Sequence, residues 1–217
     1  MNLPELFIFD MDGLLFDTER LFMELRATVL PKYGYVHREE DYLQTVGVSG
    51  TILFEILDRI YGKDYPKEEV TKDTRVLQME YIEKNGVPVK PGIKELLDWI
   101  REKEIPCCVA SSSQTPYVEK FLEAAGLRSY FAYIVGGESV RRTKPNPEIF
   151  LKACALNKTE PSKALVLEDS ENGVRAAING GIPVICIPDM VQPSAEIAEK
   201  AAAVLPSAKD VIDCLMR

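Results

Sequence analysis

Histidine is almost absent from this chain, since His37 is the only one among 217 residues. Ser-His-Asp catalysis and metal sites built from several histidines therefore have almost nothing to work with. The five cysteines are an odd number and include no CxxC pair, so neither a disulfide framework nor a zinc site is expected. Cys107 and Cys108 lie side by side in an apolar run and are predicted to be small buried hydrophobes.

Basic residues are also scarce: 26 Lys and Arg stand against 34 Asp and Glu, which gives a formal net charge of -8. Binding to nucleic acid or to an acidic membrane needs a basic face, so neither partner is expected. No apolar stretch reaches transmembrane length, and no basic region precedes the first apolar run, so no signal peptide is expected. These absences predict a cytoplasmic protein. They leave its oligomeric state open, and a monomer is compatible with them.

Short apolar runs of the kind found in buried parallel strands recur along the chain. They cover residues 6–9, 106–110, 133–135, 164–167 and 183–187. Helical patterns separate the later runs, and Thr115-Pro116 and Asn146-Pro147 are typical helix starts. This alternation predicts an α/β fold with a Rossmann-like parallel sheet and right-handed crossovers.

Residues 17–87 interrupt the alternation and contain no convincing strand. Three helical stripes occur there: residues 21, 22 and 25, residues 53, 54, 57 and 60, and residues 70, 77 and 81. A helical layer of the same core is one interpretation, but a single crossover rarely needs so many residues. We therefore predict an α/β core of residues 1–16 and 88–217, with an all-helical domain of residues 17–87 inserted after the first strand.

Two carboxylates at the end of the first strand indicate a functional site. Asp10 and Asp12 are two residues apart on an extended backbone, so their side chains point the same way. Like charges this close are costly unless they share a cation or a proton, and Gly13 lets a ligand approach the backbone. The fragment also fits a strand that ends in an ordinary Asp/Gly turn, so by itself it leaves both interpretations open.

Polar residues follow the other predicted strands as well, at the edge where an open parallel sheet binds ligands. Asp10, Asp12 and Asp169 offer the hard oxygen ligands that Mg²⁺ prefers. Ser111 offers a hydroxyl, and the helix start after it offers backbone N–H groups to a phosphate. Lys144 adds a positive charge. A carboxylate nucleophile, Mg²⁺ and a lysine around one anion predict a phosphoryl-transfer site.

The same residues resemble a known family. Asp10-Met11-Asp12-Gly13, Ser111, Lys144-Pro145 and Glu168-Asp169 match, in order, the four motifs of the haloacid dehalogenase-like superfamily. The segments Phe16-Asp17-Thr18-Glu19 and Lys144-Pro145-Asn146-Pro147 are similar to the branch that contains β-phosphoglucomutase and small phosphatases. The resemblance covers essentially the whole chain, and it implies that residues 17–87 form a helical cap.

The resemblance also implies residue roles. Asp10 attacks phosphorus and becomes an aspartyl-phosphate, while Asp12 protonates the leaving alkoxide and then activates water. Mg²⁺ is held by the Asp10 side chain, the Asp12 backbone carbonyl and Asp169, with Glu168 in support. The implied phosphate-binding residues are Ser111, Ser112 and Lys144, although Ser112 and Ser113 also fit a turn and a helix cap.

The predicted function is a Mg²⁺-dependent phosphatase of a small phosphorylated metabolite, and a phosphomutase on the same scaffold is the alternative. A dehalogenase attacks carbon without a metal and leaves Asp12 and Asp169 without a purpose. A non-enzymatic binding module would keep costly clustered carboxylates for no benefit. Against the mutase, Phe22, Gly50 and Gln114 stand where that branch carries a cap histidine, a cap arginine and a lysine.

The connections of the insertion predict motion. The chain enters the insertion after Phe16 and returns near Val87-Pro88, so the two connecting segments form a candidate hinge. The turn at residues 47–50 is the candidate loop that reaches into the site.

Overall fold

In a computed structural model of the chain, which describes residues 3–48 and 50–216, the predicted apolar runs form one parallel sheet. The strands are β1 (Leu6–Phe9), β2 (Cys107–Ala110), β3 (Ile134–Val135), β4 (Ala164–Glu168), β5 (Val184–Cys186) and β6 (Ala203–Val204), in the order β3-β2-β1-β4-β5-β6. All neighbouring strands are parallel. The sixth strand was not predicted, because its two residues are only partly buried and show no buried apolar pattern.

Helices cover both faces of the sheet. Because side chains on both sides of each strand are then buried, the strands are continuous apolar runs in the sequence. These helices are α5 (Ile93–Glu102), α6 (Thr115–Ala124), α7 (Glu148–Asn157), α8 (Glu171–Asn179), α9 (Ala195–Lys200) and α10 (Lys209–Met216). In β1, Phe7 and Phe9 pack on one side with α5, α6 and α10, while Leu6 and Ile8 pack on the other with α7 and α8. Cys107 and Cys108 are buried in β2, as predicted.

The stretch of residues 17–87 is helical in every regular element that the structure describes there. It contains α1 (Thr18–Val29), a 3₁₀ turn (Leu30–Tyr33), α2 (Glu39–Leu43), α3 (Gly50–Tyr61) and α4 (Lys67–Asn85). A small core holds it together, with Val29, Leu30, Leu57, Tyr65 and Val70 at its centre. None of the helices in the described part of the chain is both long and apolar enough to cross a membrane.

The stripe predicted for α4 was wrong in part. Tyr81 is 40% exposed, and the buried face consists of Val70, Thr74, Gln78 and Ile82. Two of these four residues are polar, so an apolar periodicity does not reveal the face. Thr74 donates its hydroxyl to the Val70 carbonyl at 2.7 Å, and Gln78 accepts from the Tyr117 hydroxyl at 2.8 Å.

The two segments that join the insertion to the sheet lie side by side. The Asp17 amide donates to the Pro88 carbonyl and the Lys90 amide donates to the Leu15 carbonyl, both at 2.9 Å. Phe16, which is fully buried, forms an antiparallel bridge with Val89. This pairing sets the first turn of α1 directly above the carboxyl end of β1.

Candidate active site

The register of the sheet brings the predicted site residues together. Phe9 of β1 lies between Val109 of β2 and Leu167 of β4, and the Asp10 amide donates to the Leu167 carbonyl at 3.0 Å. The residues that follow these strands therefore share one edge of the sheet. They are Asp10 and Asp12 after β1, Ser111 after β2, and Glu168 and Asp169 at the end of β4.

Three carboxylates form a buried cluster at this edge. Asp10, Glu168 and Asp169 each offer one oxygen, and these oxygens all lie within 4.8 Å of one another. Two glycines make room for them. A Cβ at Gly13 would lie 2.2 Å from Asp169 Oδ2, and a Cβ at Gly173 would lie 1.7 Å from Glu168 Oε1. The cluster therefore depends on two positions where no side chain fits.

Lys144 reaches into the cluster from the loop before α7. Its ammonium group contacts Asp10 Oδ1 and donates to Glu168 Oε1 at 2.7 Å, and it lies over the Phe150 ring. Although burial favours the neutral amine, the charges of Asp10 and Glu168 raise the pKa of Lys144, which stays protonated. Hydrogen bonds from Ser170 occupy the other Glu168 oxygen.

One lysine does not balance three carboxylates. Burial, with the Glu168 charge in addition, raises the pKa of Asp10 to about 7 against the opposing effect of Lys144. Burial and the charges of Glu168 and Asp10 raise the pKa of Asp169 well above its ordinary value. Such a cluster accepts either protons or a cation. Its all-oxygen donor set, compact and buried, fits Mg²⁺.

Asp12 lies apart from the cluster and is held by two hydroxyl groups. Thr18 donates to its Oδ1 at 2.7 Å, and Ser113 donates to its Oδ2 at 3.0 Å. Burial raises the pKa of Asp12, while these two hydrogen bonds and the positive charge of Arg75 oppose the rise. Neither Thr18 nor Ser113 was predicted to contact Asp12. The sequence did contain a hint of both contacts. Ser113 and Thr18 closely follow β2 and β1, and residues that follow these strands lie at the same edge of the sheet as Asp12.

The three serines of the turn after β2, Ser111, Ser112 and Ser113, differ in their burial and in their contacts. Ser111 is buried, and its hydroxyl oxygen accepts from the Ser113 amide at 3.0 Å. Ser112 is exposed, yet it lines the same cavity as Ser111, Lys144 and Asp169. All the predicted site residues thus border one space. Of the three serines, Ser113 is the one whose side chain donates to a candidate catalytic carboxylate.

That space is a cavity of about 590 Å³ between the sheet edge and the helical insertion. From the insertion, Phe22, Gly47 and Val48 line it, and Gln114 lines it from the core. The Gly47 carbonyl accepts from the Asn172 side chain at 2.7 Å, so the predicted loop does contact the core. Ser49, in the middle of that loop, lies outside the described residues.

The insertion contributes polar side chains that had not been singled out. Glu19 accepts from the Tyr42 hydroxyl at 3.0 Å, and burial raises the pKa of Glu19 to about 7. Arg26, Arg75 and Gln78 line the cavity too. A sequence pattern does not distinguish them from ordinary polar residues of surface helices, because the direction of each depends on how α1 packs against α4.

Known proteins share both the sequence and the fold. The profile of the family described as haloacid dehalogenase-like hydrolase matches residues 7–187. A phosphorylated carbohydrates phosphatase of Thermotoga maritima is 33% identical over 182 residues, which cover 82% of each chain.

Solved structures agree with this assignment. CbbY of Rhodobacter sphaeroides, crystallised in complex with phosphate, has a TM-score of 0.80 and 26% identity, and the match covers 96% of each chain. A β-phosphoglucomutase of Clostridium difficile is 22% identical and shares the fold, with a TM-score of 0.78 over 96% of this chain and 93% of the other. The chain therefore belongs to the haloacid dehalogenase-like hydrolases and is an enzyme of their phosphatase class, as its motifs predicted.

Proposed function

We propose that the protein is a Mg²⁺-dependent phosphatase that hydrolyses a small phosphorylated metabolite, with sugar phosphates as the leading class. The observation that carries the proposal is that Asp10 and Asp12 have different surroundings. Asp10 shares its cluster with a protonated lysine, whereas Asp12 stands apart under two hydroxyl donors. The named activity of the Thermotoga maritima relative supports the substrate class.

Asp10 is the proposed nucleophile. One of its oxygens attacks phosphorus, the bond from phosphorus to the ester oxygen breaks, and an aspartyl-phosphate forms. Lys144 offsets the repulsion between the anionic nucleophile and the anionic ester, and together with Ser111 and Ser112 it is proposed to bind the phosphoryl oxygens. The fixed position of Lys144, between Asp10 and Glu168, means that this charge needs no rearrangement during the reaction.

Asp12 is the proposed general acid and base. Its raised pKa favours a proton on the carboxyl group that can be donated to the leaving alkoxide. The resulting carboxylate then removes a proton from the water that attacks the aspartyl-phosphate. Free phosphate leaves, and Asp10 and Asp12 return to their starting states.

The proposed metal ligands are the side chains of Asp10 and Asp169 and the backbone carbonyl of Asp12, with Glu168 in support. When bound, Mg²⁺ supplies positive charge to the nucleophile and to the phosphoryl oxygens. Lys144 and Ser170 orient Glu168, while Gly13 leaves the space that the Asp169 carboxylate occupies.

We propose that residues 17–87 act as a cap that opens and closes on the core of residues 1–16 and 88–217. The paired segments around Phe16 and Val89 are the hinge. Closure brings the loop at Gly47 against Asn172, where it excludes bulk water from the cavity. Spectroscopic distances between labels on the cap and on the core should shorten when a phosphate analogue binds, and unchanged distances would refute the motion.

The test of the proposed function is phosphate release from p-nitrophenyl phosphate. Turnover should require Mg²⁺, stop in excess EDTA, and vanish in Asp10→Asn, which keeps the shape of the side chain and removes its charge. The exposed Asp213→Asn is the matched control and should retain full activity. Full turnover in EDTA, or a phosphoenzyme trapped on a residue other than Asp10, would reject the mechanism.

A phosphomutase is the alternative on this scaffold. Phe22 and Gln114 line the cavity without a charge, as expected for a phosphatase. However, Arg26 and Arg75 line it as well, so cationic groups are not missing from its walls. The enzyme should be given β-glucose 1-phosphate with a trace of the 1,6-bisphosphate. Free phosphate should form faster than glucose 6-phosphate, and the reverse order would establish a mutase.

A further inference from the structure

The wall of the cavity that the helical insertion contributes contains a buried cation. Arg26 of α1 lines the cavity and is only 5% exposed. Its guanidinium lies 5.3–6.0 Å from the ring centres of Tyr42, Tyr61 and Tyr65. These rings take the group out of water without neutralising it.

No carboxylate in the described part of the chain lies within 4.0 Å of the Arg26 nitrogens. A guanidinium carries five N–H donors, and the hydrogen bond seen here is to the Tyr65 hydroxyl at 3.0 Å. Glu19 is not a counterion, because Tyr42 intervenes: its hydroxyl binds Glu19 and its ring faces Arg26. A buried cation without a counterion is costly, unlike an exposed one.

The position of Arg26 fits a substrate that spans the cavity. Thr18, which contacts Asp12, and Arg26 are eight residues apart on α1, which places their Cα atoms about 12 Å apart along the helix axis. The Arg26 side chain leans toward the start of the helix, and so toward the catalytic end. A substrate that contacts both ends of this span therefore needs several carbon atoms between its two anionic groups.

The cavity lining also suits hydroxyl groups. It contains two hydrogen-bonded side-chain pairs, one between Tyr42 and Glu19 and the other between Tyr117 and Gln78. The raised pKa of Glu19 allows its carboxyl group to donate as well as accept near neutral pH. Under the proposed function, Lys144 takes the phosphoryl group and the two hydrogen-bonded pairs take hydroxyls, while Arg26 presents a positive charge on the helical wall.

We propose that Arg26 binds a second anionic group, a carboxylate or a phosphate, at the end of a sugar-derived substrate opposite the phosphate that is cleaved. This inference rests on the proposed function, because it describes the same cavity. It predicts that the enzyme prefers phosphorylated sugar acids or sugar bisphosphates over neutral sugar or polyol monophosphates of equal length.

The experiment compares matched open-chain substrates. In the six-carbon series, 6-phosphogluconate and glucitol 1,6-bisphosphate carry the second anion, and glucitol 6-phosphate does not. A five-carbon pair, 5-phosphoxylonate and xylitol 5-phosphate, covers the shorter length. For wild type, kcat/KM should be about 10- to 100-fold higher for the anionic member of at least one series, the range expected for a charge-assisted hydrogen bond.

Variants then assign the preference to one side chain. In Arg26→Met the ratio of kcat/KM between the anionic and neutral members should fall to about one, and in Arg26→Lys it should be intermediate. The ratio is insensitive to a general loss of active protein. The matched control is Arg59→Met, an exposed cap arginine bound to Gln44 outside the cavity, which should keep the wild-type ratio.

Two results would overturn the inference. One is that the wild-type enzyme hydrolyses p-nitrophenyl phosphate but shows no preference for the anionic substrate in either series. This result does not depend on the folding of any variant. The other is a preference that persists in Arg26→Met. Absence of Mg²⁺-dependent hydrolysis of any ester would instead reject the proposed function. In that case, titration of each pair into the wild-type protein still measures the preference as a ratio of Kd values.

Discussion

Gly13→Ala should abolish turnover by displacing one carboxylate, and Gly34→Ala is its matched control. Both glycines have a left-handed backbone, with φ of 81° at Gly13 and 82° at Gly34. Alanine pays a similar penalty at either position, about 1 kcal/mol. The surroundings differ, because a Cβ at Gly34 meets nothing within 4 Å, whereas a Cβ at Gly13 would lie 2.2 Å from Asp169 Oδ2 and 2.8 Å from its Cγ.

The size of the expected loss in activity follows from the clash between a Cβ at Gly13 and the Asp169 carboxylate. Close C···O contacts lie at about 3.3 Å or more, so the Asp169 oxygen must retreat by about 1 Å. Mg²⁺ needs oxygen ligands at about 2.0–2.1 Å in near-octahedral geometry, so a shift of that size removes a ligand. A misplacement of about 1 Å in a catalytic group costs roughly 100-fold in rate. Gly13→Ala should therefore lower kcat/KM at least 100-fold, while Gly34→Ala stays within about twofold of wild type.

The assay is hydrolysis of p-nitrophenyl phosphate across a Mg²⁺ titration, with urea unfolding in parallel. Gly34→Ala should lose about 1 kcal/mol of unfolding free energy and keep the wild-type Mg²⁺ midpoint. Gly13→Ala should need far more Mg²⁺ and reach a lower plateau. If the two variants shared one Mg²⁺ midpoint and one rate, the role given to Gly13 and Asp169 would be wrong.

Four further perturbations test other parts of the site. Asp169→Ala should remove the response to Mg²⁺, and Ca²⁺ should inhibit wild type, because its larger and looser coordination shell misplaces the Asp10 carboxylate. Thr18→Val removes a donor that lowers the pKa of Asp12, so the pH–rate profile should move to higher pH and kcat should fall about 10-fold. Burial raises the pKa of Glu19 from 4.5 to about 7. The unfolded chain therefore ionises before the folded one, so the free energy of unfolding in EDTA is unaffected below pH 4.5 and falls progressively as the pH rises to 7. Glu19→Gln should therefore gain about 3 kcal/mol over wild type in urea unfolding at pH 8 and almost none at pH 4, and equal gains at both pH values would contradict this.

Much of the fold follows from local patterns in the chain. Five of the six strands lie in apolar runs because both faces of the sheet are covered, and β1 is the run Leu6-Phe7-Ile8-Phe9. The sixth strand, Ala203–Val204, is short and only partly buried, and it is defined by its pairing with β5. The buried face of α4 was missed for a different reason, since two of its residues are polar: Thr74 donates to the Val70 carbonyl of its own helix, and Gln78 accepts from Tyr117.

The candidate site divides in the same way. Asp10, Ser111 and Asp169 were predictable because strand ends meet at one edge in any parallel sheet. The hydroxyl groups that hold Asp12 come from Thr18, at a helix start, and from Ser113, whose cap-like sequence position suggested a different role. The inward position of Arg26 could not be predicted, because nothing in residues 18–29 distinguishes an arginine that turns inward from one that faces water.

These differences follow from how each end of the cavity is built. At the catalytic end, backbone register places the carboxylates, and Gly13 and Gly173 leave space that no other residue can leave, so the chemistry is tied to the sheet. At the far end, the cavity wall consists of side chains on helices, and Arg26 could be replaced without altering any strand pairing. Under the proposed function, the core determines which bond is broken, whereas the cap determines which molecule carries it. Arg26, which has no carboxylate partner among the described residues, is consequently the feature from which we infer a substrate class, and the motifs of the core do not encode it.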